Sequence, residues 1–206
     1  MKYDYISFDL QGTLSDSAFS DEFWLNVLPG IYANSKNIPE PDAKKYLTGF
    51  FKKIGKYDLR YYSTGYWLKE LDPTLSFSQV TKLFKTKPYI FPDTLKIIKN
   101  LRLKTKLIIS SSTTYDFINI EMGDEKKYFS NIFSSVDDFS IAGKPKEFYK
   151  KIIGILNISP EKIIHIGDDR EMDIKNAKSA GIETYFFDRS KSRKKSINDL
   201  MRFIDN

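Results

Sequence analysis

Residues 162–177 read KIIHIGDDREMDIKNA, and the order of residue types in that stretch decides the fold. KIIHIG is a short apolar, β-branched run of strand length. Gly167 then hands the chain to Asp168 and Asp169, and MDIKNAKSAG from Met172 has helical spacing, with Gly181 placed where a helix would end. The same unit recurs along the chain. YISFDL, KLIIS (106–110), NIFSSV (131–136) and ETYFF (183–187) are further strand-like runs, each bounded by polar or turn residues. Between them lie helical patterns, PDTLKIIKNLRL from Pro92 and KEFYKKIIGIL from Lys146. In the first, Leu95, Ile98 and Leu101 recur at helical spacing and Asp93 puts a negative charge in the first turn, which suits the helix dipole. Alternating strands and helices imply parallel strands joined by right-handed crossovers, so the chain reads as a doubly wound, mostly parallel α/β sheet. Active sites in such sheets lie beyond the carboxyl ends of the strands. Asp9, Ser110 and Asp168 each follow an apolar run directly, so all three are expected at one edge.

Residues 16–87 break the alternation. They are rich in aromatics, among them Phe19, Phe23, Trp24, Phe50, Phe51, Tyr61, Tyr62, Tyr66 and Trp67, and show no strand pattern. SDEFWLNVL, PDAKKYLTGFFKKI and SFSQVTKLFK carry apolar residues three and four apart, with Asp42 and Ser76 as candidate polar caps. The expectation is a helical insert at 16–87 that leaves the sheet after the first strand and rejoins it near Pro88 and Pro92, with 1–15 and 88–206 forming the core. Its aromatics are expected to be the insert's own core, with Arg60 and Tyr61 to Tyr66 near enough to reach the cleft.

Composition narrows the chemistry. With 206 residues and 41% hydrophobic content there is material for one sizeable core carrying a smaller insert. No run approaches the roughly 18–20 apolar residues that span a bilayer, and MKYDYISFDL enters a strand pattern at once, so the reading is a cytoplasmic chain with no membrane partner. The absence of cysteine excludes disulfides and thiolate metal sites, and a single histidine, His165, excludes multi-histidine zinc sites. Any metal is therefore held by oxygen, which selects a hard cation. The net charge of +6 comes from dispersed lysines; the densest block, SKSRKK at 190–195, reads as solvated surface, and no nucleic-acid partner is expected. A basic surface attracts a small phosphorylated anion.

The chemistry-bearing residues follow the strand-like runs. Asp9, in FDLQGTL (8–14) and followed by the Gly12-Thr13 turn, is placed to attack phosphorus. Ser110 offers a hydroxyl to a phosphoryl oxygen, and Ser111 and Ser112 offer backbone N–H groups at a helix start. Lys144, in AGKP, can neutralise the nucleophile and the transferring group, while Pro145 opens the next helix. Asp168, Asp169 and Asp173 crowd three carboxylates at one strand end, and they repel unless a cation lies between them. Magnesium suits such an oxygen set, completed by water and substrate phosphate. One of Asp169 and Asp173 has the alternative role of capping the helix or charging its first turn.

FDLQGTL, IISSS, GKP and GDDREMD, in that order and at these separations, resemble the four motifs of the haloacid dehalogenase (HAD) superfamily of phosphohydrolases. The resemblance spans residues 1–15 and about 88–190. It implies a Rossmann-like core, and the insert matches the position of the helical cap in the phosphoglycolate-phosphatase-like branch. It further implies that Asp9 is nucleophile and magnesium ligand, that Ser110 binds the phosphoryl group, that Lys144 pairs with both, and that Asp168 ligates magnesium with help from Asp173 or Asp169. Gly12, Thr13, Ser111 and Ser112 are then the substrate-binding positions. His165 matches no catalytic position and reads as a strand residue facing a helix. The departure is Gln11. Family phosphatases usually carry an aspartate there that protonates the leaving group, and an amide cannot exchange a proton near neutral pH. The backbone carbonyl that serves as the family's metal ligand at this position is retained. The implied function is a magnesium-dependent phosphatase or phosphotransferase for a small phosphorylated metabolite, slow on alkyl phosphates and less handicapped on aryl or acyl phosphates. The alternatives are a metal-independent 2-haloacid dehalogenase and a weakly catalytic protein that binds a phosphorylated ligand.

Overall fold

The computed structural model describes residues 2–189 and 199–204. The SKSRKK block lies outside the described residues. Five strands, β1 (Tyr5–Phe8), β2 (Lys106–Ser111), β3 (Asn131–Ser134), β4 (Ile163–Gly167) and β5 (Glu183–Phe186), form one sheet in the order β3-β2-β1-β4-β5. Every neighbouring pair is parallel. β1 and β4 are buried along their whole length, as expected where helices cover both faces of a parallel sheet. Phe8 stands level with Ile109 of β2 and Ile166 of β4, which puts Asp9 and Asp168 at the same carboxyl edge.

Helices surround and overlie the sheet: α1 (Ala18–Glu22), α2 (Leu28–Lys36), α3 (Glu40–Ile54), α4 (Thr64–Leu71), α5 (Phe77–Val80), α6 (Pro92–Leu101), α7 (Tyr115–Met122), α8 (Ser135–Phe139), α9 (Lys146–Leu156) and α10 (Asn176–Ser179), with a further helical stretch at 199–204. Alternate strand residues feed two cores. Ile6, Phe8, Ile109, Ile164 and Ile166 pack with Ile97, Ile98 and Leu101 of α6, Ile118 and Met122 of α7, and Leu200 and Ile204. On the other face Tyr5, Ile108 and Ile163 meet Phe148, Tyr149 and Ile152 of α9 and Ala177 of α10.

All five helices α1–α5 lie between β1 and β2 in the chain. The two connections to them run side by side: the Asp16 amide donates to the Tyr89 carbonyl (2.9 Å) and the Phe91 amide to the Leu14 carbonyl (3.0 Å). Ser76 caps α5 in a reciprocal box with Gln79. Asp42 does not cap α3; that helix starts earlier, at Glu40 behind Pro39, and Asp42 sits in its first turn. NIFSSV is likewise shorter as a strand than its composition suggests, because Ser134 turns the chain and caps α8 by accepting from the Asp137 amide. The aromatic cluster is not the insert's alone. Phe117 of α7, fully buried, makes edge and tilted contacts with Phe19, Phe23, Trp24 and Phe77. A ring from the sheet-packing layer thus keys the helical layer in place.

Candidate active site

Three loops and one helical turn converge at the carboxyl edge of the sheet. Asp9 follows β1, Lys144 precedes α9, Asp168 follows β4, and Asp173 lies on a single wide turn (Arg170–Lys175) leading into α10. The Lys144 Nζ lies 2.5 Å from Asp9 Oδ1 and also contacts Asp173 Oδ1, and this lysine is only 1% exposed. Carboxylate oxygens of Asp9, Asp168 and Asp173 all lie within 4.8 Å of one another. Two glycines make the convergence sterically feasible. Gly12 adopts φ +84°, and a Cβ there would collide with the Asp168 carboxylate; a Cβ at Gly167 would collide with Asp173.

Three carboxylates against one ammonium leave two negative charges at this edge, and the local electrostatics reflect that. Burial raises the Asp9 carboxyl well above the ordinary range, and the charges of Asp173 and Asp168 add to the rise against the opposing Lys144. Burial works against the charged Lys144, but Asp173 and Asp9 outweigh it and hold the ammonium protonated. Burial likewise opposes the Asp173 charge, yet Lys144 and His165 keep its carboxyl below the usual range. The donor set is all oxygen, crowded, and short of positive charge by the amount a divalent ion carries, so it fits a hard cation such as magnesium. Asp9 and Asp168 are the carboxylates best able to hold one, because Asp173 already receives Lys144, His165 and the Asp169 amide.

Other expected site residues are placed less directly. Asp169 is the helix cap: its Oδ1 accepts from the Glu171 and Met172 amides at 2.8 and 2.7 Å. Thr13 is fully buried and donates to Asp168 Oδ1 at 3.2 Å, so it orients a carboxylate. Ser110 is also fully buried, and its Oγ accepts from Ser7. From Ser7 the chain of contacts continues to His165 Nδ1 (2.8 Å) and from His165 Nε2 to Asp173 (3.0 Å). His165 therefore does more than face a helix: it stands between Ser7 and the carboxylate that holds Lys144. Burial keeps its ring pKa low. Ser111 and Ser112 do not start a helix, since β2 runs through Ser111 and α7 begins at Tyr115 behind Thr114; Ser111 Oγ instead accepts from the Thr113 amide.

Gln11 is half-buried, and its Nε2 donates to Glu121 Oε1 at 2.6 Å. The other oxygen of Glu121 accepts from Ser15 Oγ, also at 2.6 Å. Burial pushes the Glu121 carboxyl up to about 7 against the lowering effect of those two donors. Gln11, Ser112 and Thr113 line a cavity of about 700 Å³ together with the rings of Trp24, Phe51 and Tyr61 and the cations of Lys44 and Lys52. Tyr62 lines it too, whereas Arg60 is turned away into a paired contact with Asp58. The helical layer is tied to the β4 edge: Tyr57 donates to Glu171 at 2.8 Å and Lys56 pairs with Glu171 at 2.5 Å.

Glu121 and Arg189 were not singled out by sequence. Arg189 Nε donates to the Gly12 carbonyl at 3.0 Å and a terminal nitrogen to the Thr13 carbonyl at 2.5 Å, with the guanidinium stacked over Phe91. It fixes the backbone of the loop that carries Gln11. No local pattern marks either residue, because each acts on partners more than ninety positions away.

The pattern of known proteins agrees with this geometry. The profile of a hydrolase family described as haloacid dehalogenase-like matches residues 3–181. The chain belongs to that family. The GMP/IMP nucleotidase YrfG of Escherichia coli is 19% identical over 213 residues, covering 98% of this chain and 94% of the relative. A HAD phosphatase from Thermococcus onnurineus superposes with a TM-score of 0.76 at 21% identity, covering 99% of this chain and 98% of that one. The magnesium-bound HAD-hydrolase YfnB from Bacillus subtilis gives 0.60 at 19% identity over 91% of this chain and 89% of that one. At such identities the structures speak to fold, and the fold of this HAD hydrolase is theirs. No helix among the described residues is long and apolar enough to cross a membrane.

Proposed function

We propose that this HAD hydrolase is a cytoplasmic, magnesium-dependent phosphohydrolase or phosphotransferase acting through an aspartyl phosphate at Asp9. The single observation that carries the reading is the buried Asp9–Lys144–Asp173 arrangement with Asp168 beside it. Asp9 Oδ would form the bond to phosphorus as the bond to the leaving oxygen breaks, and that oxygen departs with the electron pair. Water then attacks phosphorus, its proton passing to solvent or to the released phosphate, and the Asp9 carboxylate is regenerated. Lys144 holds Asp9 in place and offsets charge that gathers on the phosphoryl oxygens. Asp9, Asp168 and the Gln11 carbonyl would hold the magnesium, with Asp173 in support; when bound, the ion supplies charge neutralisation and lowers the carboxyl pKa of the nucleophile. Residues 1–15 and 88–206 are read as the core and 16–87 as its cap.

Gln11 cannot protonate a leaving group, and general acid catalysis typically contributes about 10²- to 10⁴-fold. The substrate favoured by the site is therefore a small phosphorylated metabolite whose leaving oxygen needs little proton help. The aromatic-walled cavity suits a ring-bearing substrate, and the nucleotidase relative adds nucleoside monophosphates to the candidates. Halide displacement from a 2-haloacid fits less well, since a carboxylate substrate meets two uncompensated negative charges. The test is phosphate release from p-nitrophenyl phosphate, acetyl phosphate, GMP and IMP, with magnesium and with EDTA, in wild type and Asp9→Asn. Magnesium-dependent release lost in Asp9→Asn is expected; no release from any of the four, or release that survives Asp9→Asn, overturns the proposal.

A further inference from the structure

The Gln11 side chain is not loose. Gln11 and Ser15 are bridged neighbours on one tight turn, closed by the Gly12 amide donating to the Ser15 carbonyl at 2.8 Å. Both send a donor to the same carboxyl group, that of Glu121 near the end of α7, which is 3% exposed. An ionised carboxylate offers only acceptors, so the Gln11 side chain presents its amide nitrogen to Glu121, and Gln11 also lines the cavity. With both groups ionised, a carboxylate at position 11 in the same place would set two acceptors 2.6 Å apart with no hydrogen between them. An aspartate there would also be one methylene shorter and would leave Glu121 without its amide donor.

We infer that Glu121 is the positioning residue for Gln11, and that positions 11 and 121 form a matched amide–carboxylate pair in which an ionised carboxylate at 11 is tolerated only when 121 is an amide. The glutamine is thus part of a built arrangement and not merely a lost aspartate. The part of this inference that concerns turnover rests on the phosphohydrolase reading; the pairing itself does not.

The exchange of the two groups is isosteric, which makes a clean cycle: Gln11→Glu, Glu121→Gln and the double exchange, measured at pH 8.5 so that carboxyl groups are ionised. Gln11→Glu is expected to lower the melting temperature by about 5 °C or more, and the double exchange to return it to within about 2 °C of wild type. In ¹⁵N-labelled wild type the Gln11 side-chain NH₂ should be protected from solvent exchange, and Glu121→Ala should remove that protection without unfolding the chain. Additive losses in the double exchange, or an unprotected Gln11 amide in wild type, would overturn the pairing. For turnover, measured instead at lower pH, where a carboxyl group can carry the proton that a leaving alkoxide takes, the double exchange puts a hydrogen-bonded carboxyl group at position 11 and should raise kcat on alkyl phosphates about 10-fold or more over wild type, while Gln11→Glu alone stays below the double exchange. If Gln11→Glu alone matches the double exchange in both rate and melting temperature, Glu121 positions nothing. An inactive wild type would end the phosphohydrolase reading, and the thermal and NMR results would still decide the pair.

Discussion

The sheet edge and the helical layer above it are both buried, and they are held by opposite means. At the edge, Ser110, Ser7, His165, Asp173, Lys144 and Asp9 form a continuous polar chain in which most groups are less than a tenth exposed. In the layer, Phe19, Phe23, Trp67, Phe77 and Phe117 form one aromatic cluster, with no ion pair among the described residues in its interior. Apolar packing stabilises in proportion to area and tolerates small displacements. A buried ionic chain does not, because removing one member leaves its partner charged and unsatisfied. The difference teaches where each kind of work is done: the edge fixes geometry at the cost of stability, and the layer supplies stability and a shaped, adaptable wall.

The largest expected effects break the edge. Lys144→Met leaves Asp9 and Asp173 facing each other without the ammonium and should cost about 3–5 kcal/mol, read by urea denaturation. Asp9→Asn is the contrasting change at the same contact. It removes a charge that burial and two carboxylates make costly, so in the absence of divalent ions it should be at least as stable as wild type while losing the proposed phosphate release. If both substitutions destabilise alike, the edge behaves as ordinary packing and the contrast fails.

In the layer the corresponding test is Phe23→Ala. Phe23 is fully buried and touches rings from α1's continuation, α5 and α7 alike, so its loss should cost about 3–5 kcal/mol through the cavity it leaves. Equal cost with a different signature sharpens the comparison: the loss in Phe23→Ala should be insensitive to magnesium, that in Lys144→Met should not.

Magnesium itself gives the next effect. If the two surplus negative charges are what the ion offsets, millimolar magnesium should raise the wild-type melting temperature by several degrees, by mass action on the folded state. Asp168→Asn, which removes a charge from the exposed side of the cluster, should shrink that rise to a degree or less. An undiminished rise would place the ion elsewhere.

What could be read from sequence divides along the same line. Strand ends and helix starts were legible where local chemistry sets them: α9 begins at Lys146 because Pro145 cannot continue upstream, and Asp9 and Asp168 share an edge because each terminates a buried parallel strand. Roles set by distant partners were not. Asp169 and Asp173 are indistinguishable by spacing; they are separated by the capping bonds that Asp169 accepts from the Glu171 and Met172 amides and by the contacts of Asp173 with Lys144 and His165. His165 reads as packing in the sequence because Ser7 and Asp173 are invisible as its neighbours, and nothing in the sequence around Glu121 marks its depth beside Gln11.

The smallest effect concerns the layer's local order. Ser76 starts α5 by accepting from the Gln79 amide while Gln79 returns a bond to the Ser76 amide at 2.7 Å. Ser76→Ala removes one side of that box at an exposed helix end and should cost about 1 kcal/mol. Because α5 carries Phe77 and Val80 into the aromatic cluster but no residue to the sheet edge, the loss should leave magnesium's thermal shift and kcat unchanged. A fall in kcat would mean that the wall above the cavity transmits its order to the edge, and that the two regions are less separate than their chemistry makes them look.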